Sequence, residues 1–277
     1  MVSIIIPTYN RSDLLEKCLN CLHPSMQGSA HEFEVIVTDD SNNDKSEKLV
    51  TENFGWVKWV LGPKLGPASN RNNGARHAKN HWIIFIDDDC LPDKDIVNTY
   101  IDAIQLHKGI TVFEGCIKAD REQRSFTEES PVNETGEYLW SCNFMIEKQL
   151  FLGKLHGFDE KFPYASMEDV DLAYRIKKLH IPIVFIKDAF VIHPWRDQKN
   201  LYSMTFKRYK STLYFIDKHP EKKTELSSTY FLKIFFRSMN NLFNKAIKFR
   251  FRGFIPELTN DFIFIYFAIH RLYNQNK

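Results

Sequence analysis

"IIFIDDDCLPD", residues 83–93, is the stretch on which the fold turns. Trp82 to Ile86 is a short uninterrupted apolar run, the pattern of a strand buried on both faces, and it ends abruptly in Asp87, Asp88 and Asp89. Adjacent carboxylates repel one another and resist desolvation, so a triplet at the mouth of an apolar strand is easiest to understand with a cation among them. A solvated turn is the other reading. At a strand end Asp87 and Asp89 are expected to point one way and Asp88 the other. Two carboxylates on one side suit a hard divalent ion, Mg²⁺ or Mn²⁺, that keeps positions open for phosphate and water oxygens.

Three earlier runs share this strand character: Val2 to Ile6, Phe33 to Thr38 and Val57 to Leu61. Between the first two, Leu14, Leu15, Cys18, Leu19 and Leu22 recur at helical spacing, and Asn10 stands where it can cap that helix, with Asp13 three residues on. Ser69 to Asn80 reads as another helix. Strands that are continuous apolar runs, alternating with helices, predict an α/β chain with a mostly parallel sheet covered on both faces. In such sheets ligands bind beyond the carboxyl ends of the strands, where Pro7 to Asn10, Asp39 to Asp44 and Asp87 to Asp93 all fall. Farther along, helices are expected near Ile96 to His107 and over about Met167 to Leu179, and strands near Ile110 to Ile117, Ile183 to Ile186 and Phe190 to Ile192. The polar stretch from Ala119 to Tyr138 reads as a long loop.

The composition, 43% hydrophobic and 26% charged over 277 residues, argues against disorder and suits one large domain or one domain with an appendage. Five cysteines (Cys18, Cys21, Cys90, Cys116, Cys142), odd in number and widely spaced, favour a reducing compartment over a disulfide framework. Cys18 and Cys21 form C-x-x-C inside an apolar helical pattern with no second ligand pair, and read as packing residues rather than a zinc site. "MVSIIIPTYNR" has no basic leader and its apolar run stops at Pro7, so no signal peptide is expected. "FIFIYFAI", from Phe262, falls far short of the roughly 20 residues of a membrane-spanning helix, so no span is expected either.

Three further features carry candidate chemistry. In "VIVTDDS", Asp39 and Asp40 end the second strand, where a carboxylate either caps a following helix or accepts hydrogen bonds from a base or ribose. In "GFDEKFPYASMEDVDLAYRIKK", Asp159, Glu168, Asp169 and Asp171 form an acidic cluster around a helix start. The helix dipole favours such charges there whether or not they are catalytic, although Gly157 to Glu160 followed by Glu168 and Asp169 is a longer pattern than capping requires. In "FVIHPWR", His193 ends another apolar strand, a place suited to a structural role or to a metal or phosphate contact.

Taken in order, "VSIIIPTYNR", "VTDDSNND", "GPASNRNNGARHA", "IIFIDDDCLPD" and "GFDEKF" followed by "EDVDLAYR" resemble glycosyltransferase family 2, whose members have the GT-A fold. The resemblance covers roughly Val2 to Arg196; Ser41 stands where the family usually has Gly, and Asn70 where Ala commonly precedes the Arg-Asn pair. It implies a Rossmann-like, mostly parallel central sheet with helices on both faces and an additional C-terminal helical region. Residues 1–198 would form the catalytic domain, with a nucleotide-binding half over about 1–95 and an acceptor half over about 96–198. The resemblance further implies that Pro7, Tyr9 and Arg11 line the nucleotide pocket, that Asp40 with its neighbour Asp39 contacts the base, and that Arg71 and Asp88 face the nucleotide or its diphosphate. Asp87 and Asp89 would hold Mn²⁺ or Mg²⁺, with His193 a further ligand; Asn143 and Asp159 would lie near the sugars; Asp169 would be the catalytic base, with Glu168 its competitor. The chain lacks the Gln-x-x-Arg-Trp element and spanning helices of processive synthases, which favours transfer of one sugar.

The net charge of +2 conceals an asymmetry: residues 199–277 carry fifteen Lys/Arg against five Asp/Glu, and residues 1–198 carry 22 against 30. Within the basic region, "LKIFFRSMNNLFNKAIKFRFRGF" sets Phe235, Met239, Leu242, Phe243, Ala246 and Ile247 at helical spacing, with Lys233, Arg237, Lys245 and Lys248 mostly elsewhere. Such a helix either packs back on the catalytic domain or lies on an anionic membrane, here through residues 228–270. No nucleic-acid module accompanies the charge, and a homodimer stays open. The expectation is an inverting, metal-dependent transferase moving one sugar from a nucleotide-sugar, a UDP-sugar by preference, to a glycan or lipid-linked acceptor in surface polysaccharide assembly. It would be cytoplasmic, or peripheral on the inner face of the cytoplasmic membrane. The alternatives are a sugar-phosphate nucleotidyltransferase and an inactive nucleotide-binding scaffold of a membrane glycan complex.

Overall fold

A computed structural model describes residues 1–29 and 31–275, so the last two residues of the basic region lie outside it. The chain falls into two compact units. The first comprises Met1–Asp120, Pro131–Lys161 and Glu168–Pro194; the second takes Arg121–Ser130, Phe162–Met167 and the chain from Trp195 onward.

The first unit opens with strict alternation: β1 (Val2–Thr8), α1 (Ser12–Cys21), β2 (Phe33–Asp39), α2 (Lys45–Asn53), β3 (Lys58–Leu61), α3 (Pro67–His77) and β4 (Trp82–Ile86). The short β5 (Leu91–Pro92), then α4 (Ile96–Leu106) and β6 (Val112–Ala119), carry the chain to the polar stretch that contains β7 (Glu128–Glu129). It returns through β8 (Asn143–Glu147), a π-type turn at Leu150–Lys154, α5 (Glu168–Lys178) and β9 (Ile183–His193). The sheet runs β3-β2-β1-β4-β8-β6-β9-β5. β1 pairs in parallel with β2 and β4, and β2 with β3. β8 then enters antiparallel between β4 and β6, while β9 runs parallel to β6. The expected sheet is present, parallel through its first half and mixed beyond β4.

Burial on both faces explains the uninterrupted apolar runs. Ile4 and Ile6 pack into one core with Leu15, Leu19, Val35 and Ile84. Ile5 points to the opposite core with Ile36, Ile83 and Phe85. There the Phe85 ring lies 5.0 Å from those of Phe144 and Phe151 and 5.5 Å from that of Phe158, so β4, β8 and the loop before α5 share one aromatic cluster. α3 closes tightly on this sheet: a Cβ at Gly74 would lie 2.4 Å from Ile5 Cγ2, which only glycine avoids. Cys18 is buried in the first core, as its place in an apolar helix predicted.

Two local expectations fail for identifiable reasons. Asn10 does not cap α1, which begins after Arg11 with no side-chain cap. Instead Asn10 adopts a left-handed conformation (φ 54°), and its Oδ1 accepts from Asn42 N at 3.2 Å and Asn43 Nδ2 at 2.8 Å, tying the ends of β1 and β2 together. The two strands expected after Ile183 are one strand, β9, with a register irregularity opposite Gly115 and Cys116.

In the second unit β10 (Arg196–Asp197) pairs antiparallel with β7. α6 (Leu201–Lys218) follows, capped by Asn200 Oδ1 accepting from Ser203 N, and then α7 (Ser228–Lys248) and α8 (Phe254–Gln275). Tyr209, Phe231, Phe267 and Ala268 form the core, with the Tyr209 and Phe267 rings stacked at 3.8 Å. No helix among the described residues is long and apolar enough to cross a membrane.

Candidate functional site

The candidate residues gather in the first unit, at the carboxyl ends of β1, β2 and β4 and at the start of α5. β4 stops at Ile86, so Asp87 to Asp89 form a turn and the alternation of a strand does not extend through them. Their side chains diverge. Asp87 accepts from Arg71 Nη2 at 2.6 Å. Asp88 accepts from the Thr8 hydroxyl at 2.8 Å and from Arg11 Nη1 at 3.1 Å. Asp89 is buried, its Oδ2 lying 3.5 Å from His193 Nε2 and 3.9 Å from Arg11 Nη1.

Arg71 reaches this turn because α3 is a polar helix placed in the interior. Ser69, Asn70, Arg71 and Asn72 are all buried, and each is held from a distant part of the chain. Asn70 Nδ2 donates to the Thr8 and Thr38 carbonyls while its Oδ1 accepts from the Thr38 hydroxyl, fastening the ends of β1 and β2. Asn72 Nδ2 donates to the Phe158 carbonyl and to Glu160 Oε1, and its Oδ1 accepts from Phe158 N, fastening the "GFDE" loop. Arg175 completes the frame, donating to Asp171 and to the Leu155 and Gly157 carbonyls. Held in this frame, Arg71 lies between Asp87 and Glu168, whose Oε1 is 3.8 Å from Nη1. Burial would lower the guanidinium's pKa, but the charges of Asp87 and Glu168 outweigh it and raise it. Arg71 Nε and Nη1 and Glu168 Oε2 have no hydrogen-bond partner among the described residues, so two donors and an acceptor are left unused in the interior.

Glu168 and Asp169 begin α5. Glu168 is buried, and desolvation together with the charge of Asp169 pushes its pKa up to about 7, against the opposing pull of Arg71. Asp169 is half-buried; its pKa is also raised, chiefly by burial, while the Val170 N–H and Arg71 work the other way. The pair therefore titrates together above the ordinary carboxylate range.

Asp89 and His193 fit a divalent cation. His193 Nδ1 lies 3.0 Å from the Pro194 carbonyl, which only accepts, so Nδ1 carries the proton and Nε2 turns its lone pair toward Asp89. Burial holds the imidazole below its usual pKa despite the pull of Asp87, which disfavours a second proton in that gap. A cation fills it better. Cys90 Sγ lies within the same 4.8 Å cluster, but burial pushes the thiol well up and Sγ is directed at the Cys142 carbonyl, leaving a carboxylate and an imidazole as the donor set.

The base-binding candidates sit beside this cluster. Asp39 accepts from Ser41 N and from Trp59 Nε1, and Asp40 from Lys64 N. Burial raises the pKa of Asp40, with the Lys64 and Gly66 N–H groups opposing. Pro7 is buried at the end of β1, and Tyr9 is exposed with its hydroxyl accepting from Asn42 Nδ2. Two residues stand apart from the cluster. Asn143 is fully buried, donating to the Cys116 and Ala189 carbonyls and accepting from the Tyr100 hydroxyl, so its amide joins β6, β8, β9 and α4. Asp159 Oδ1 accepts from Lys161 N in a local turn. Thr8, Asn72, Glu160 and Arg175 were not anticipated. The signal that could have exposed Asn72 is the "SNRNNG" run itself, which is too polar for a helix covering a sheet unless those side chains are used.

The model of glycosyl transferase family 2 matches residues 3–163. Validoxylamine A glucosyltransferase of Streptomyces hygroscopicus subsp. jinggangensis is 28% identical over 270 residues, which cover 82% of this chain and 63% of that protein. The chain thus spans under two thirds of that relative. Among solved structures, the mannosyltransferase PcManGT from Pyrobaculum calidifontis in complex with GDP-Man and Mn²⁺ superposes with a TM-score of 0.60 at 19% identity, covering 79% of this chain and 64% of that one. S. aureus TarS 1–349 in complex with UDP gives 0.55 at 21% identity, covering 78% and 65%. Both share the fold. With the family model spanning more than half of its length, the chain belongs to glycosyl transferase family 2.

Proposed function

We propose that this chain transfers a single sugar, with inversion, from a UDP-sugar to a glycan or lipid-linked acceptor in surface polysaccharide assembly, at the inner face of the cytoplasmic membrane. The observation that carries the reading is the crowding of Asp87, Asp88, Asp89, Glu168 and Asp169 about the guanidiniums of Arg11 and Arg71. Such a cluster carries an excess of carboxyl groups. That excess suits a site which takes up a divalent ion together with a diphosphate. Family membership supports the reaction class, and the UDP bound in the TarS structure supports the nucleotide.

In this reading Asp89 and His193 hold Mn²⁺ or Mg²⁺, with Asp87 beside them. The ion, when bound, supplies Lewis-acid stabilisation of the departing diphosphate. Asp40 and Asp39 accept hydrogen bonds from the base, Pro7 and Tyr9 line its pocket, and Asp88 with Arg11 orients the ribose and diphosphate. Arg71 brings its unused donors to the donor substrate while fixing Glu168. Asp169, the more accessible member of the acidic pair, takes the proton of the acceptor hydroxyl as it attacks the anomeric carbon from the face opposite the leaving group. Its raised pKa makes it a stronger base than an ordinary aspartate.

Asp169→Asn keeps the shape and removes the base. Donor binding, read from the divalent-dependent thermal shift with UDP-sugars, should survive, while transfer measured by UDP release falls about 10²- to 10⁴-fold. Undiminished transfer would refute the assignment, and pyrophosphate as the product would refute the reaction class.

A further inference from the structure

We propose that α7 and α8 form a surface that rests on an anionic lipid bilayer. The inference stands on the second unit alone and is independent of the transferase reading. On α7, Phe236, Phe243 and Ile247 are 65%, 64% and 79% exposed, and spacings of seven and four put them on one side of the helix. On α8, Ile255, Phe262 and Ile269 are 64%, 54% and 61% exposed and recur every seven residues. The stripes adjoin: the Phe235 ring meets Phe262 at 5.8 Å, and Phe243 meets Phe254 at 6.3 Å. Each helix buries a different apolar set, Phe231, Leu242 and Ala246 on α7 and Phe267 and Ala268 on α8. Each helix therefore has a second apolar side that the unit leaves in water.

Charge selects the occupant. From Leu226 to Pro256 the sequence has Lys233, Arg237, Lys245, Lys248, Arg250 and Arg252 and no acidic residue; all six cations are exposed, Lys248 pairing with Glu122 at 3.1 Å, and α8 adds Glu257 and Asp261, both at least partly buried. A second copy related by a two-fold axis would set these cations against themselves. An anionic bilayer offers phosphates to the cations and an acyl boundary to the phenylalanine and isoleucine side chains. Since neither helix is long and apolar enough to span, the contact lies in the plane of the interface.

The test is co-sedimentation of the full chain with vesicles of phosphatidylcholine alone or with about one quarter phosphatidylglycerol. The expected result is binding to the anionic vesicles only, weakened in about 0.5 M salt. The pair Phe243→Ser and Ile247→Ser should reduce partitioning about tenfold. Absence of binding to anionic vesicles, or binding undiminished by the serine pair, overturns the proposal. So does a dimer that the serine pair dissolves in a chain that ignores vesicles, which would give the face to a second copy. Circular dichroism checks the fold; should the serine pair unfold, Lys233→Gln with Arg237→Gln repeats the test on exposed cations, and binding unchanged by that pair overturns the proposal equally.

Discussion

The carboxyl edge of the first unit and the α7–α8 pair of the second are inverted images in polarity. At the edge, Asn70, Asp89 and Arg71 are buried to 2%, 3% and 5% exposure, while on the helix pair Phe243 and Ile247 stand in water. Each region violates the rule that apolar groups go inside and polar groups outside, and each violation costs stability that the rest of its unit must offset. They differ in how the violation is held. The buried polar groups are cross-braced by long-range hydrogen bonds such as Asn72 to Phe158 and Ser69 to Glu160, whereas Phe243 and Phe262 each meet a neighbouring ring yet stay more than half exposed. The edge should therefore be sensitive to single substitutions in isolation, and the exposed face of the helix pair only when a partner is present.

Arg71→Met tests the edge where the effect should be largest. Loss of the guanidinium leaves Asp87 and Glu168 without the cation between them, and breaking such a buried arrangement from one side costs about 3–5 kcal/mol. The loss should depend on pH. Glu168 has its pKa raised from 4.5 to about 7, so across that window the folded chain retains a proton that the unfolded chain has shed. Stability accordingly falls as pH rises through the window, and the variant, lacking the opposing pull of Arg71, should fall over a wider range. Urea denaturation of both chains on either side of the window measures this. An equal loss at every pH would mean that Arg71 matters through packing on Phe158, whose ring centroid lies 5.7 Å from the guanidinium carbon, rather than through charge.

Phe267→Ala and Phe243→Ala sharpen the comparison from the other side. Phe267 is 1% exposed and stacked on Tyr209, so truncation should cost about 3 kcal/mol. Phe243 loses the same atoms from a largely solvated ring, and its change should stay within about 0.5 kcal/mol. Chemical denaturation followed by circular dichroism reads both. A large loss at Phe243 would show that its contact with Phe254 supports the hairpin, and would weaken the case that this face is held for something else.

The same contrast explains what was legible in the sequence. β1, β2 and β4 announce themselves because burial on both faces demands unbroken apolar runs, and α5 because its acidic start is bound to a local dipole. The carboxyl edge was legible as a list of residues, but its geometry was not. The direction of Asp87 to Asp89 depends on β4 ending at Ile86, which nothing local signals. Asn10 looked like a cap because capping is a short-range rule, whereas its real partners, Asn42 and Asn43, lie on the next strand's loop. Asn143 illustrates the same limit: its partners Tyr100, Cys116 and Ala189 come from three elements, and only the assembled sheet shows that its amide is consumed. In the second unit, spacing placed Leu242 and Phe243 on one apolar face, but only the folded unit shows that Leu242 is covered and Phe243 is not.

The smallest expected effect is also the most specific. Glu168→Gln should leave transfer within about tenfold of the unaltered chain, because Asp169 still supplies the base, but it should move the acid limb of the pH profile. In the unaltered chain burial raises the pKa of Asp169 while Arg71 opposes it, so kcat/KM should fall as pH drops through a range above that of an ordinary aspartate. Replacing Glu168 by an amide removes the like charge next to Asp169 and leaves the pull of Arg71 undivided. Both changes favour ionised Asp169, so the limb should shift to lower pH by on the order of one unit. A limb that stays in place would mean that another group governs the profile. Collapse of transfer in this variant would mean that Glu168 itself takes the proton and that Asp169 is the member that tunes it.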